Sequence, residues 1–80
     1  MNTVFAIRDR ILQLCNDRNI TINKLANLSA VPPSSVKNIL YGKSQNPKIV
    51  TLKKFCDGLN ITLGEFFSTP QFDALEQEIK

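Results

Sequence analysis

Apolar side chains recur at intervals of three and four along nearly the whole chain, the spacing that lines up one face of an α-helix. Val4, Ile7, Ile11 and Leu14 mark the inner face of a first helix over residues 3–18. Asn2 or Thr3 can cap its start, and Asn19, which tolerates left-handed backbone angles, can end it. Thr21 can cap a second, short helix whose apolar stripe is Leu25, Ala26 and Leu28. A third helix is expected over 33–41, with Val36, Ile39 and Leu40 inward, and Gly42 stops it. After the polar loop "KSQNP", a fourth helix over 49–58 turns Ile49, Leu52, Phe55, Cys56 and Leu59 to one side. Thr62 with Glu65 forms a capping-box pattern that opens a fifth helix, with Leu63, Phe66 and Phe67 inward. Pro70 breaks the chain again, and "QFDALEQEIK" can add a last amphipathic turn or two through Phe72, Leu75 and Ile79. Nothing alternates with period two, so no sheet is expected and the fold class is compact all-α.

The double proline in "SAVPPSSVKNILYG" sets the junction between the second and third helices. Proline has no N–H, and the first turn of a helix needs none, so Pro32 and Pro33 can begin a helix. Each also pushes the preceding residue out of the α region. Val31 is therefore extended, and the second helix ends near Ser29 or Ala30. Two short helices joined by such a tight turn form a helix-turn-helix.

Charge adds a direction. The net charge is +3, but residues 1–56 carry +7 and residues 57–80 carry −4. No acidic residue lies between Asp17 and Asp57. A basic body beside an acidic tail points to a polyanionic partner, nucleic acid above all. With 80 residues the chain is one domain at most, and no apolar run is long enough to span a membrane. The start "MNTVFAIRDR" does not have the pattern of a signal peptide, so the expected location is the cytosol. The chain lacks histidine and has two cysteines, Cys15 and Cys56, set among apolar residues. They read as reduced core residues, too few for a four-ligand zinc site. No nucleophile–base pair is legible, so neither catalysis, a cofactor nor a metal is expected.

At 100° per residue, Ser34, Lys37, Asn38 and Tyr41 fall opposite the buried face of the third helix. Small residues at its start allow close entry to a groove roughly 12 Å wide. An asparagine there can pair with adenine N6 and N7, and a lysine with guanine O6 or N7 or with phosphate. Lys43, Ser44, Gln45, Asn46 and Lys48 supply donors to follow a phosphate backbone. The start of the second helix, Ile22, Asn23 and Lys24, presents backbone N–H groups and a positive dipole end. Lys53 and Lys54 read mainly as a solvated face, and Ser35 mainly as a helix-start hydroxyl that can also reach phosphate.

From Ile20 to Phe67 the chain resembles the Cro/cI-type (Xre-like) helix-turn-helix domains of phage and bacterial repressors. The resemblance rests on the order and spacing of Thr21, Leu25-Ala26, Val31, Ser35-Val36 and Ile39. Gly42-Lys43, Asn46-Pro47, Thr51-Leu52, Leu59, Ile61, Leu63 and Phe66-Phe67 continue it. It implies a five-helix, lambda-repressor-like domain over 1–67 whose third helix enters the major groove of double-stranded DNA. It further implies that Pro33, Ser34, Lys37 and Asn38 face bases. It also implies that the second-helix start, Ile22, Asn23 and Lys24, and the loop residues Lys43, Ser44, Gln45, Asn46 and Lys48 hold phosphates; Ser35 and Tyr41 are further phosphate candidates by their place on the third helix. Five positions depart from the family pattern. Ile22 stands where a glutamine is common, and Ala30 replaces the usual turn glycine, which requires either ordinary angles or strain of about 1–3 kcal/mol. Leu40 stands where many members carry a glutamate that pairs with the first helix. Pro33 and Ser34 stand where many carry longer readers, which shifts specificity toward DNA shape.

The expected function is sequence-specific, repressor-like regulation by a homodimer, at least on DNA. The alternative is a protein-interaction module on the same fold, an antitoxin or regulator partner that binds DNA weakly and docks through the acidic tail, residues 68–80. That tail can either pack on its own core or make a dimer contact.

Overall fold

The computed structural model of the chain describes residues 2–42 and 44–79. Its elements are α1 (Thr3–Asp17), α2 (Ile22–Ser29), α3 (Pro33–Leu40), α4 (Ile49–Leu59), α5 (Leu63–Phe67) and α6 (Pro70–Asp73). No strand occurs among the described residues. The all-α architecture is thus five helices plus one short turn of helix in the tail.

Side-chain caps start three of the helices. Asn2 Oδ1 accepts the Phe5 N–H at 2.9 Å. Thr21 Oγ1 accepts the Lys24 N–H at 3.0 Å. Thr62 and Glu65 cap each other's backbone at 2.9 and 3.0 Å. α3 begins differently: Pro32 is its N-cap, Pro33 its first residue, and no side chain caps it.

Three helix ends share one backbone solution. Asn19, Ala30 and Asn60 have φ of 54°, 53° and 58°. The next residue in each case bonds back five positions: Ile20 N–H to Cys15 O, Val31 N–H to Ala26 O and Ile61 N–H to Cys56 O. This is the Schellman arrangement, with an apolar residue folded back over the helix end. Ala30 therefore takes the strained alternative of the two open to it. Beyond the end of α3 at Leu40, Gly42 takes φ 93°, and the Ser44 N–H returns to Asn38 O at 2.9 Å.

The core is Ile7, Ile11 and Leu14 from α1, Leu25 and Ala26 from α2, and Val36, Ile39 and Leu40 from α3. Cys15 of α1, Val31 of the turn, Leu52, Phe55, Cys56 and Leu59 from α4 and Phe66 from α5 complete it. Phe55 and Phe66 are fully buried, each worth roughly 1.5–3 kcal/mol of burial. α4 presses on the end of α2 at Gly58, where a Cβ would stand 2.6 Å from Ser29 Oγ and 2.9 Å from the Leu28 carbonyl. Phe72 of α6 stacks edge-on against Phe67 at 4.9 Å and lies 6.2 Å from Phe66.

Some apolar positions face outward. Ile49 is 57 % exposed, because the first turn of α4 projects beyond the core that Leu52 enters. Leu28, near the end of α2, is also exposed. α6 ends at Asp73, so Ile79 is not on a helix and stands 86 % exposed. The chain after Asp73 folds back instead, and Thr3 Oγ1 donates to Glu78 Oε2 at 2.6 Å.

The arginines near the start of the chain serve the scaffold. Arg8 Nε donates to Ile39 O (2.6 Å), at the end of α3. Arg10 donates to Phe66 O (2.7 Å) and Glu65 O (2.8 Å), at the end of α5. Arg18 Nη2 reaches Leu59 O, at the end of α4, at 3.5 Å. The last carbonyls of a helix lack intrahelical partners and carry its negative dipole end, so a guanidinium satisfies both. The basic excess of residues 1–56 is thus partly internal, because three of its arginines are engaged with helix-end carbonyls. Lys53 is likewise engaged, in an exposed ion pair with Asp57 one turn on.

Candidate nucleic-acid interface

The outward face of α3 is as the helical periodicity predicts. Pro33, Ser34, Lys37, Asn38 and Tyr41 are exposed and Ser35 is half-buried, while Val36, Ile39 and Leu40 are buried. The starts of α2, α3 and α4 carry no acidic residue in their first turns. α5 and α6, by contrast, carry Glu65 and Asp73 there. The free N–H groups of the first three are thus left without a competing carboxylate.

A shallow groove of about 300 Å³ runs between α3 and the start of α4. It gathers Ser35, Asn38, Ser44, Asn46 and Lys48, which the sequence assigned to one nucleic-acid surface. It also includes Pro47 and Thr51. Thr51 was not among the expected contacts. Its hydroxyl lies in the first turn of α4, three residues after Lys48, a spacing that could have signalled it. The groove's shape comes from the Ser44 N–H to Asn38 O bond, which folds the loop back on α3.

The remaining candidates are placed elsewhere. Pro33, Ser34 and Lys37 stand on the exposed face of α3 without lining the groove. Tyr41, 71 % exposed, and Gln45 line a second groove against Phe5 and Arg8 of α1. Gln45 Nε2 donates to Gly42 O at 2.7 Å, which stiffens the loop. Asn23 and Lys24 are exposed, whereas the Ile22 side chain packs against the core. The Lys24 N–H is taken by Thr21, the cap the sequence expects, which leaves the start of α2 one free donor fewer. Lys43 lies outside the described residues.

With Leu40 buried, no carboxylate on α3 pairs with α1; Arg8 reaches the Ile39 carbonyl instead. Cys15 and Cys56 are both buried and unpaired. Burial pushes both thiols up from their ordinary range. The charge of Arg18 opposes this at Cys15, as that of Lys53 does at Cys56. Among the described residues no helix is long and apolar enough to cross a membrane, and no group of three potential metal ligands occurs.

Comparison with known proteins agrees with this geometry. The crystal structure of the prophage Lp1 protein 11 is similar in fold, with a TM-score of 0.81 and 30 % identity over 94 % of this chain and 100 % of that one. No curated protein matches the chain. The family model for the Cro/C1-type HTH DNA-binding domain matches residues 10–71, which include α2 through α5 and the groove between α3 and α4. The chain therefore belongs to the Cro/C1-type helix-turn-helix family of DNA-binding domains.

Proposed function

We propose that the protein is a sequence-specific regulator of transcription, repressor-like, that inserts α3 into the major groove of double-stranded DNA as a homodimer. Such a role places it in the cytosol with the chromosome. The observation that carries this reading is the exposed, acid-free face of α3 beside a groove of hydroxyl, amide and lysine side chains. Pro33, Ser34, Lys37 and Asn38 face the bases, with Asn38 suited to adenine. Asn23, Lys24, Ser35, Tyr41, Lys43, Ser44, Gln45, Asn46 and Lys48, with the Ile22 backbone, meet phosphates. Two short residues at the start of α3 leave few long readers, so groove shape and DNA deformability supply part of the specificity. Docking of a protein through the tail has less support, because Phe72 is already packed against Phe66 and Phe67.

Selection of bound duplexes from a random pool tests the proposal. The expected motif has two related halves about 10 base pairs apart. Asn38→Ala should weaken the selected duplex by about 1–3 kcal/mol and relax preference at one position. Lys48→Ala should weaken all duplexes alike and lower the salt slope by about one. Recovery of no motif would remove the sequence-specific reading.

A further inference from the structure

Arg8 is 8 % exposed, yet the ion pair of the described residues is Lys53–Asp57 and does not involve it. A buried cation is unfavourable unless something replaces its lost hydration. Here backbone does so. Nε donates to Ile39 O at 2.6 Å and Nη2 to Ser44 O at 3.3 Å. The Phe5 ring covers the guanidinium at 5.0 Å.

The two carbonyls belong to different parts of the proposed interface. Ile39 O lies at the end of α3, next to Asn38. Ser44 O lies in the loop, and the Ser44 N–H donates back to Asn38 O. One rigid planar group from α1 thus spans the turn whose two sides form the groove. A planar fork of donors in fixed geometry suits such a span. We infer that Arg8 is a positioning residue for DNA recognition: it sets the loop against α3 without itself touching DNA. This rests on the proposed use of α3 and the loop.

The molecule contains its own control. Arg10, two residues along α1, makes the same kind of bond to Glu65 O and Phe66 O of α5. α5 contributes nothing to the groove. Both arginines hold a helix end, but only Arg8 holds one that faces DNA.

Arg8→Met and Arg10→Met are compared in thermal unfolding, in binding to the selected duplex and to a scrambled one, and in amide exchange. Both variants should melt earlier than the parent. Arg8→Met should lose roughly tenfold on the selected duplex and less on the scrambled one. Arg10→Met should stay within about twofold on both, measured where it is folded. Equal losses in the two variants, or parent-like preference in Arg8→Met, would overturn the inference. If Arg8→Met does not fold, Arg8→Lys decides: its ammonium lacks the fork, so an intermediate loss of preference supports the inference and parent-like preference overturns it. Amide exchange reads the same geometry without DNA. The Ser44 N–H should exchange roughly tenfold faster in Arg8→Met or Arg8→Lys and unchanged in Arg10→Met. Unchanged Ser44 exchange in the Arg8 variants overturns the inference even if the parent selects no duplex, a result that would count against the proposed function instead.

Discussion

Two junctions in this protein carry the same tripeptide, and a third does the same work with other residues. Asn19-Ile20-Thr21 joins α1 to α2, and Asn60-Ile61-Thr62 joins α4 to α5. Each follows a cysteine by four residues, and the carbonyls of Cys15 and Cys56 accept the fold-back bonds. Ala26 accepts the corresponding bond at the third junction, Ala30-Val31-Pro32. In the first two, asparagine tolerates the left-handed angle and threonine caps the next helix through its side chain. In the third, alanine holds that angle at a cost of about 1–2 kcal/mol, and Pro32 offers no side-chain cap. The junctions that build the scaffold agree with every local preference. The one at the proposed DNA surface breaks two of them, as functional sites commonly do.

Changes at these junctions should break or sharpen the contrast. The largest effect is expected at Gly58, where α4 buttresses the end of α2 just before Ala30. Gly58→Ala should lose about 1–3 kcal/mol in chemical denaturation, because backbone at Leu28 must move. A gain, from better helix propensity, would mean that the α2–α4 approach is looser than described. Next come the threonine caps. Thr21→Ala and Thr62→Ala should each cost about 1 kcal/mol, and a null effect at either would end the claim that these two junctions are locally optimised.

Ala30→Gly runs the other way. Relief of the left-handed angle less the added freedom of the unfolded chain leaves a gain of about 0.5–1 kcal/mol, a few degrees in the melting midpoint. The same change at Asn60 should gain less, since asparagine already accepts the angle. The smallest effect concerns the thiols. Their raised pKa values mean that the unfolded chain releases these protons first, above about pH 8.5. The folded state's contribution is complete below that pH and declines as pH rises through the folded values. A Cys15→Ala/Cys56→Ala variant should lack this component of the alkaline fall in stability. At neutral pH a thiol reagent should label the parent only at the rate of local opening.

The helices were legible because apolar spacing, Thr21, the Thr62–Glu65 pair and Gly42 each act within a few residues of the backbone they direct. The exposed face of α3 followed from the same periodicity. Ile49 was misread because period alone does not say where the core ends along a helix. Arg8 could not be read as a scaffold residue, because its acceptors are carbonyls, which every residue carries. Nor could the sequence say which donors share a groove and which, like Tyr41 and Gln45, line another.

What the sequence by itself determined was local: five helices and a tail turn, their caps, the double-proline break, and an uninterrupted absence of acids from Arg18 to Cys56. Only the tertiary structure decided that Ala30 accepts a left-handed angle, because the benefit comes from burying Val31 and seating α4 on α2. It also decided that α1 supplies its arginines to other helix ends and that Ser35, Asn38, Ser44, Asn46 and Lys48 meet. Those outcomes depend on groups brought together from distant parts of the chain, and their energies exist only once the core has closed.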